Sequence, residues 1–182
     1  SVVELEGRRV LRVAASRSYG KLLHPVAAAQ AAVGMRPRYL NWEWRVDQSP
    51  QAADLRQRSG DDVALRVCAF FDWPHERLPM VDRSRLLAAE VLAGQELPTA
   101  ALCYVWDAKL PRGTVMPNAF TRRLRMIVVD GDAGEWHEHK RDLYTDFRAA
   151  FADEWREGDP LPPVSAVVIG SDTDNTAGEG LG

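Results

Sequence analysis

Cysteine is nearly absent from this chain: only Cys68 and Cys103 occur among its 182 residues. Two cysteines exclude a disulfide-dense scaffold and a four-cysteine metal site. Each lies in an apolar run that reaches an aspartate four residues later, VCAFFD and LCYVWD, so the two could sit on neighbouring strands. A pair of buried thiols is the preferred reading, because free cysteine packs as a small hydrophobe; a single bridge is the alternative. An excess of positive charge is also missing. Lys and Arg number 23 against 26 Asp and Glu, and a net charge of -3 supplies no field for a nucleic-acid backbone or an anionic membrane. No apolar run approaches the roughly 18 to 20 residues of a membrane span, and no charged-then-apolar leader opens the chain. These absences predict a soluble chain that binds no nucleic acid and from which any export signal has been removed. Glycine-rich phosphate loops and a serine in a strand-turn-helix glycine setting are lacking too, which sets aside nucleotide enzymes and serine hydrolases.

What is present is a core. With 46% hydrophobic residues over 182 positions, one domain spanning 1–182 is the economical organisation. The opening ELEGRRVLRVAASRSYGKLLHPV has the pattern of two strands around a polar break from Ala15 to Tyr19. YLNWEWRVD alternates strictly, with Leu40, Trp42, Trp44 and Val46 on one side and Asn41, Glu43, Arg45 and Asp47 on the other. The polar stretch QSPQAADLRQRSG reads as a long surface loop. In DDVALRVCAFFD, Val63, Leu65, Val67, Ala69 and Phe71 share one face, and Asp62, Ala64, Arg66, Cys68 and Phe70 share the other.

DRSRLLAAEVLAG has helical spacing and ends in Gly94, as a helix C-cap would. AALCYVWDA and RRLRMIVVD read as strands, with EWHEHKRDL pairing back as a hairpin. Tyr144, Phe147, Phe151 and Trp155 recur at spacings of three and four, which predicts an amphipathic helix from Leu143 to Trp155. VSAVVIG is the last strand. Strands dominate, without regular alternation of strand and helix. The expected fold is therefore mainly β, an antiparallel two-sheet β-sandwich with two inserted helices.

The motifs WEWRVD, GDDVALRV, YVWDAKLPRGTVMPNAFTRRLRMIVV, KRDLYTDFRAAF and SDTDNT, in this order, resemble a bacterial family of unknown function whose members are commonly exported. The match runs from about Leu11 to Gly178. The family looks like a jelly-roll of the galactose-binding-like kind, which implies a periplasmic or secreted protein of carbohydrate-binding type. Its members continue after the Asp-Thr-Asp-Asn-Thr segment with a small-residue turn and a further aromatic-bearing strand. The resemblance thus implies a closing strand beyond Gly182, and a sheet edge that could be covered by self-association.

The charges within strands are the first candidate site. Glu43 and Arg45 stand on one strand, Arg66 on another, and Arg123 with Arg125 on a third. Charges in mid-strand need partners. One reading is a cross-strand ladder in which Glu43 and Asp62 pair with the arginines. The other is a concave ligand face where the forks of Arg45, Arg66 and Arg125, beside Glu43 and Asp62, hold a glycan or another polar or anionic ligand. Tyr104 or Trp106 would then supply a stacking platform.

The second candidate is the strand exit. Asp172, Asp174 and Thr176 would share one side of an extended chain, with oxygens that suit calcium. The EF-hand pattern is not met, since Ala177 stands where glycine is needed. The preferred reading has Asp172 and Asn175 folding back on backbone amides in Asx turns, with no cofactor. His137 and His139 have the spacing of a two-histidine metal site but no evident third ligand, so a solvent-facing pair is expected. The function these readings favour is a noncatalytic, envelope-associated binding module. A glycoside-processing enzyme using two of Glu43, Asp61, Asp62, Asp172 and Asp174 is the alternative, and a structural or partner-binding protein is a third.

Overall fold

The structure is a computed structural model that describes residues 1–26, 37–94 and 96–182. Four strands arise where the opening sequence suggests two: β1 (Val2–Leu5), β2 (Arg8–Leu11), β3 (Ala14–Ser16) and β4 (Tyr19–Pro25). The additional break is a two-residue turn. Glu6 and Gly7 both have left-handed backbone, with φ of 54° and 72°, the geometry that lets a hairpin keep its right-handed twist. Leu5 consequently lies opposite Arg8, and β1 pairs antiparallel with β2.

The remaining elements follow as β5 (Tyr39–Trp44), β6 (Val63–Phe71), α1 (Met80–Ala93), β7 (Ala100–Trp106), β8 (Val115–Pro117), β9 (Leu124–Asp130), β10 (His137–Asp142), α2 (Leu143–Ala150), β11 (Val164–Asp172) and β12 (Glu179–Leu181). The expected mainly β class is observed, with two α-helices among the described residues. Six strands form one sheet in the order β4-β11-β6-β7-β9-β8, and β1–β2, β5–β10 and β3–β12 form two-stranded sheets. The pairing is not wholly antiparallel as expected: β7 and β9 run parallel. The chain between them returns along the outside, where β8 pairs antiparallel with β9.

Both edges of β9 are thereby occupied, by β7 and β8. β10 cannot fold back on β9 as the sequence suggests, and pairs instead with β5, setting His139 opposite Trp42 and His137 opposite Trp44. Alternation in β5 places Trp44, with Val46 just beyond the strand, against Leu65 and Val67 of β6 and Trp106 of β7. The β5–β10 ribbon therefore packs on one face of the six-stranded sheet. At the end of that face, α2 and its C-cap add Leu143, Phe147 and Phe151 to Ala69, Phe71 and Tyr104.

The opposite face buries Cys68, Cys103, Val105, Met126, Val128 and Val168. Leu55, in the stretch expected to be a surface loop, is fully buried there. A bulge corrects the alternation of β6. Arg66 lies three positions beyond Val63, but their partners Gly170 and Asp172 are only two positions apart, and the additional residue reverses the facing of everything before it. Val63 thus joins the cysteine face, and Ala64 joins Leu65.

Cys68 and Cys103 are direct partners in the β6–β7 register and form a disulfide, so the buried-thiol reading is corrected. Helix α1 ends as predicted: Gly94 has φ 64° and donates its N–H to the Glu90 carbonyl at 2.9 Å. Helix α2 is shorter than its spacing suggests. Asp142 caps it by accepting the N–H groups of Tyr144 and Thr145, and it stops at Ala150. Phe151 still stacks on Phe147 at 4.5 Å, and Trp155 meets Phe147 edge-on at 5.7 Å. The chain leaving β11 turns and adds β12 to β3.

Candidate functional site

The β1–β2 hairpin leans over the β5–β10 ribbon, and a groove of about 1130 Å³ opens between them. Apolar side chains form its body. Val3, Leu5 and Val10 come from the hairpin, Trp42 and Trp44 from β5, and Leu65, Val67 and Ile169 from the sheet. Trp44 is buried as expected, whereas Trp42 is half-buried; its indole N–H is out of solvent and has no partner among the described residues.

Charge collects at the rim. Arg8 forms an ion pair with Glu43 and lies 4.7 Å above the ring centre of Trp136. Arg45 donates to Glu6 at 2.7 Å and to Asp47 at 2.7 Å, and Trp136 Nε1 donates to Glu6 at 3.1 Å. These contacts tie the hairpin turn to the ribbon. Arg8 and Trp136 were not singled out by sequence reasoning. Their signal was the Glu-Gly turn beside Arg8 and an isolated tryptophan in GEWHEH, both legible only once the ribbon pairing is known.

The other residues expected on a ligand face do not join Glu43 and Arg45. Arg66 reaches Asp172 at 3.5 Å and stacks over Tyr19 at 5.2 Å. Arg125 is buried at the far end of the sheet, 3.0 Å from Asp153 and 3.1 Å from Glu154, over the ring of Phe151 at 4.9 Å. Arg123 is buried beside it and pairs with Glu154. Tyr104 is fully buried and donates to Asp146 at 2.9 Å, while Arg141 grips the same carboxylate with two N–H groups. Trp106 is buried and donates to the Asp132 carbonyl at 3.2 Å. The two proposed stacking platforms are core residues. The cross-strand ladder is not formed either, since Glu43 pairs with Arg8 and Asp62 with no arginine.

Asp62 instead organises the strand exit. Its carboxylate accepts the backbone N–H groups of Asn175 at 3.1 Å and Thr176 at 2.8 Å, together with their side chains. The acceptor expected for this turn was Asp172, and it makes no such bond. Asp172 Oδ1 is buried with no hydrogen-bond partner among the described residues. Burial pushes the Asp172 carboxyl up to about 7 against the pull of Arg66, and the charges of Asp174, Asp62 and Asp61 add to the rise. Asp61 is raised as well, chiefly by burial, although Asn118 donates to it. Asp62, Asp172 and Asp174 each offer an oxygen within 4.8 Å of the others, a spacing that a hard cation can use.

His137 and His139 are not turned to solvent. Both face Asp130, the fully buried last residue of β9, with His137 Nδ1 at 3.4 Å and His139 Nε2 at 3.8 Å from Oδ2. Burial opposes ionisation of Asp130, but the Asp132 and Gly131 amides, the Trp44 indole N–H and His137 outweigh it and hold the carboxyl below its ordinary value. Among the described residues, no helix is long and apolar enough to cross a membrane.

The chain matches no curated protein and no solved structure. A family model does match, over residues 1–181, which is nearly the whole chain. The chain belongs to that family, described as a protein of unknown function, DUF3047.

Proposed function

We propose that the chain is a noncatalytic binding module whose ligand, a glycan or another polar or anionic molecule with one apolar face, lies in the groove under the β1–β2 hairpin. The observation that carries this reading is the groove's layout. A floor of Trp42, Trp44, Val67 and Ile169 is rimmed by Arg8, Glu43, Arg45 and Trp136, the combination of apolar body and few polar groups that ligand sites share. The hydrocarbon face of a sugar ring suits the indoles, and its hydroxyls suit the rim.

The Cys68–Cys103 bridge supports a periplasmic or secreted setting, because disulfides persist in oxidising compartments. The β5–β10 ribbon stacked on the larger sheet supports the galactose-binding-like jelly-roll class, from which the parallel β7–β9 pair departs. The glycoside-processing alternative has less support. Glu43 is neutralised by Arg8, and Asp61, Asp62, Asp172 and Asp174 line neither this groove nor the smaller one beside β3 and β4. Self-association would use β4, an exposed strand at the end of the sheet.

A glycan array followed by titration of its hits tests the reading. Trp136→Ala should weaken binding by about 1 to 2 kcal/mol while the fold persists. A native chain that binds nothing on the array, or a hit that Trp136→Ala retains at full affinity, ends it.

A further inference from the structure

The sequence offered two histidines at metal spacing and no third ligand. The fold supplies it from another strand. Asp130 ends β9, and its Oδ2 faces His137 Nδ1 at 3.4 Å and His139 Nε2 at 3.8 Å. Both separations exceed the usual reach of an N–H···O hydrogen bond. They are close to what two ligands of one ion show, since bonds of about 2.0 to 2.2 Å set tetrahedral ligands about 3.3 to 3.6 Å apart.

Asp132 extends the set. Asp130, Asp132 and His137 each present a ligand atom within 4.8 Å of the others. His139 Nε2, the atom turned to Asp130, is buried with no hydrogen-bond partner among the described residues, and His137 Nε2, on the side of its ring away from Asp130, is buried without one as well. We propose that Asp130, Asp132 and His137, with His139 beside them, form a binding site for a divalent transition-metal ion of the zinc class. Mixed imidazole and carboxylate ligands select such an ion over calcium or magnesium, which prefer oxygen.

The surroundings hold the carboxylate in place. Asp130 Oδ1 accepts the Gly131 N–H at 2.7 Å and the Asp132 N–H at 3.3 Å, while Trp44 Nε1 approaches Oδ2 at 3.3 Å. Contacts of this kind orient ligands in metal sites. Arg112 donates to Asp130 Oδ1 at 2.7 Å and also pairs with Asp132. It balances the two carboxylates while no metal is bound. Its side chain is half-exposed, so it can release Asp132 to the ion. His139 also lines the ligand groove, but the metal site does not depend on that groove's being used.

The test uses the folded native chain with zinc chloride alone, and cobalt(II) as a visible probe of nitrogen and oxygen ligation. The native chain should take up one equivalent of zinc and give a saturable cobalt spectrum that zinc displaces. Calcium and magnesium chloride should not compete. His137→Gln and His139→Gln should each lower zinc affinity by about tenfold or more, with circular dichroism showing that both remain folded; Asp132→Asn, at an exposed position, is the variant least prone to misfold. Absence of saturable zinc and cobalt binding by the native chain overturns the proposal, as does zinc binding that all three folded variants keep.

Discussion

Cys68 faces Cys103 across β6 and β7, and the two sulfurs are bonded in the middle of the six-stranded sheet. The bridge closes a sequence separation of 35 residues that includes the whole of α1. Closing a loop of that size stabilises a fold by about 3 to 4 kcal/mol through the unfolded chain. The double variant Cys68→Ala, Cys103→Ala should lose roughly that amount in denaturant melts. Because both residues are buried, reductant should act on the native chain only slowly and should reproduce the loss once the chain has been unfolded.

Arg125 and Arg8 separate structure from binding. Arg125 is buried and shared between Asp153 and Glu154, so Arg125→Ala takes one cation from each acid, leaving Asp153 with Arg122 and Glu154 with Arg123. The expected cost is about 2 to 3 kcal/mol of stability, from the lost charge-assisted hydrogen bonds. Arg8 is half-exposed in its pair with Glu43. Arg8→Ala should leave stability nearly unchanged, because the pair is exposed to solvent, and should weaken whatever the groove binds. Melts and titrations on both variants check this, and an Arg8→Ala chain with intact affinity would remove Arg8 from the rim.

Asp172 gives a pH prediction. Its carboxyl is pushed up to about 7 in the folded chain, whereas an unfolded aspartate titrates near 3.9. Between those values the folded chain keeps a proton that the unfolded chain has lost. Stability therefore falls as pH rises across that interval, by an amount on the order of 4 kcal/mol, and is flat above it. Asp172→Asn should flatten the profile and stabilise the chain at pH 8, the reverse of the penalty expected if Asp172 held the turn. Asp62 holds the turn instead, so added calcium is expected to leave the midpoint of the native chain unchanged. Melts from pH 4 to 8, in calcium and in chelator, decide both points.

Tyr104 was a candidate platform and is a core residue. Tyr104→Phe removes one hydrogen bond to Asp146, which Arg141 still satisfies twice. A loss of about 1 kcal/mol in stability is expected, with ligand affinity unchanged on titration.

The legible parts of this chain are those set by period and by local chemistry. The alternation of Trp42 and Trp44 with Glu43 placed β5, Gly94 ended α1, and the aromatic spacing around Phe147 found α2. Pairing was not legible, because it depends on which edges are already taken. β10 looked like the partner of β9 until β7 and β8 occupied both of its edges. The candidate site suffered from the same blindness. Glu43 and Arg45 were found because a charge inside a strand is conspicuous. Arg125 and Arg66 are equally conspicuous, yet they answer acids from residues 153, 154 and 172, which no local pattern joins to them. Arg8 and Trp136 acquire meaning only from neighbours distant in sequence.

The place of β11 has a consequence for the chain as it is synthesised. β11 lies between β4 and β6, so Val168 pairs with Leu23 on one side and Cys68 on the other. Until residues 164–172 have left the ribosome, β4 has no neighbour in the sheet and β6 has only one. Contacts of such long sequence separation form late and slowly. β4 must therefore wait unpaired through most of translation, which gives chaperones a long interval in which to take hold of an incompletely folded chain.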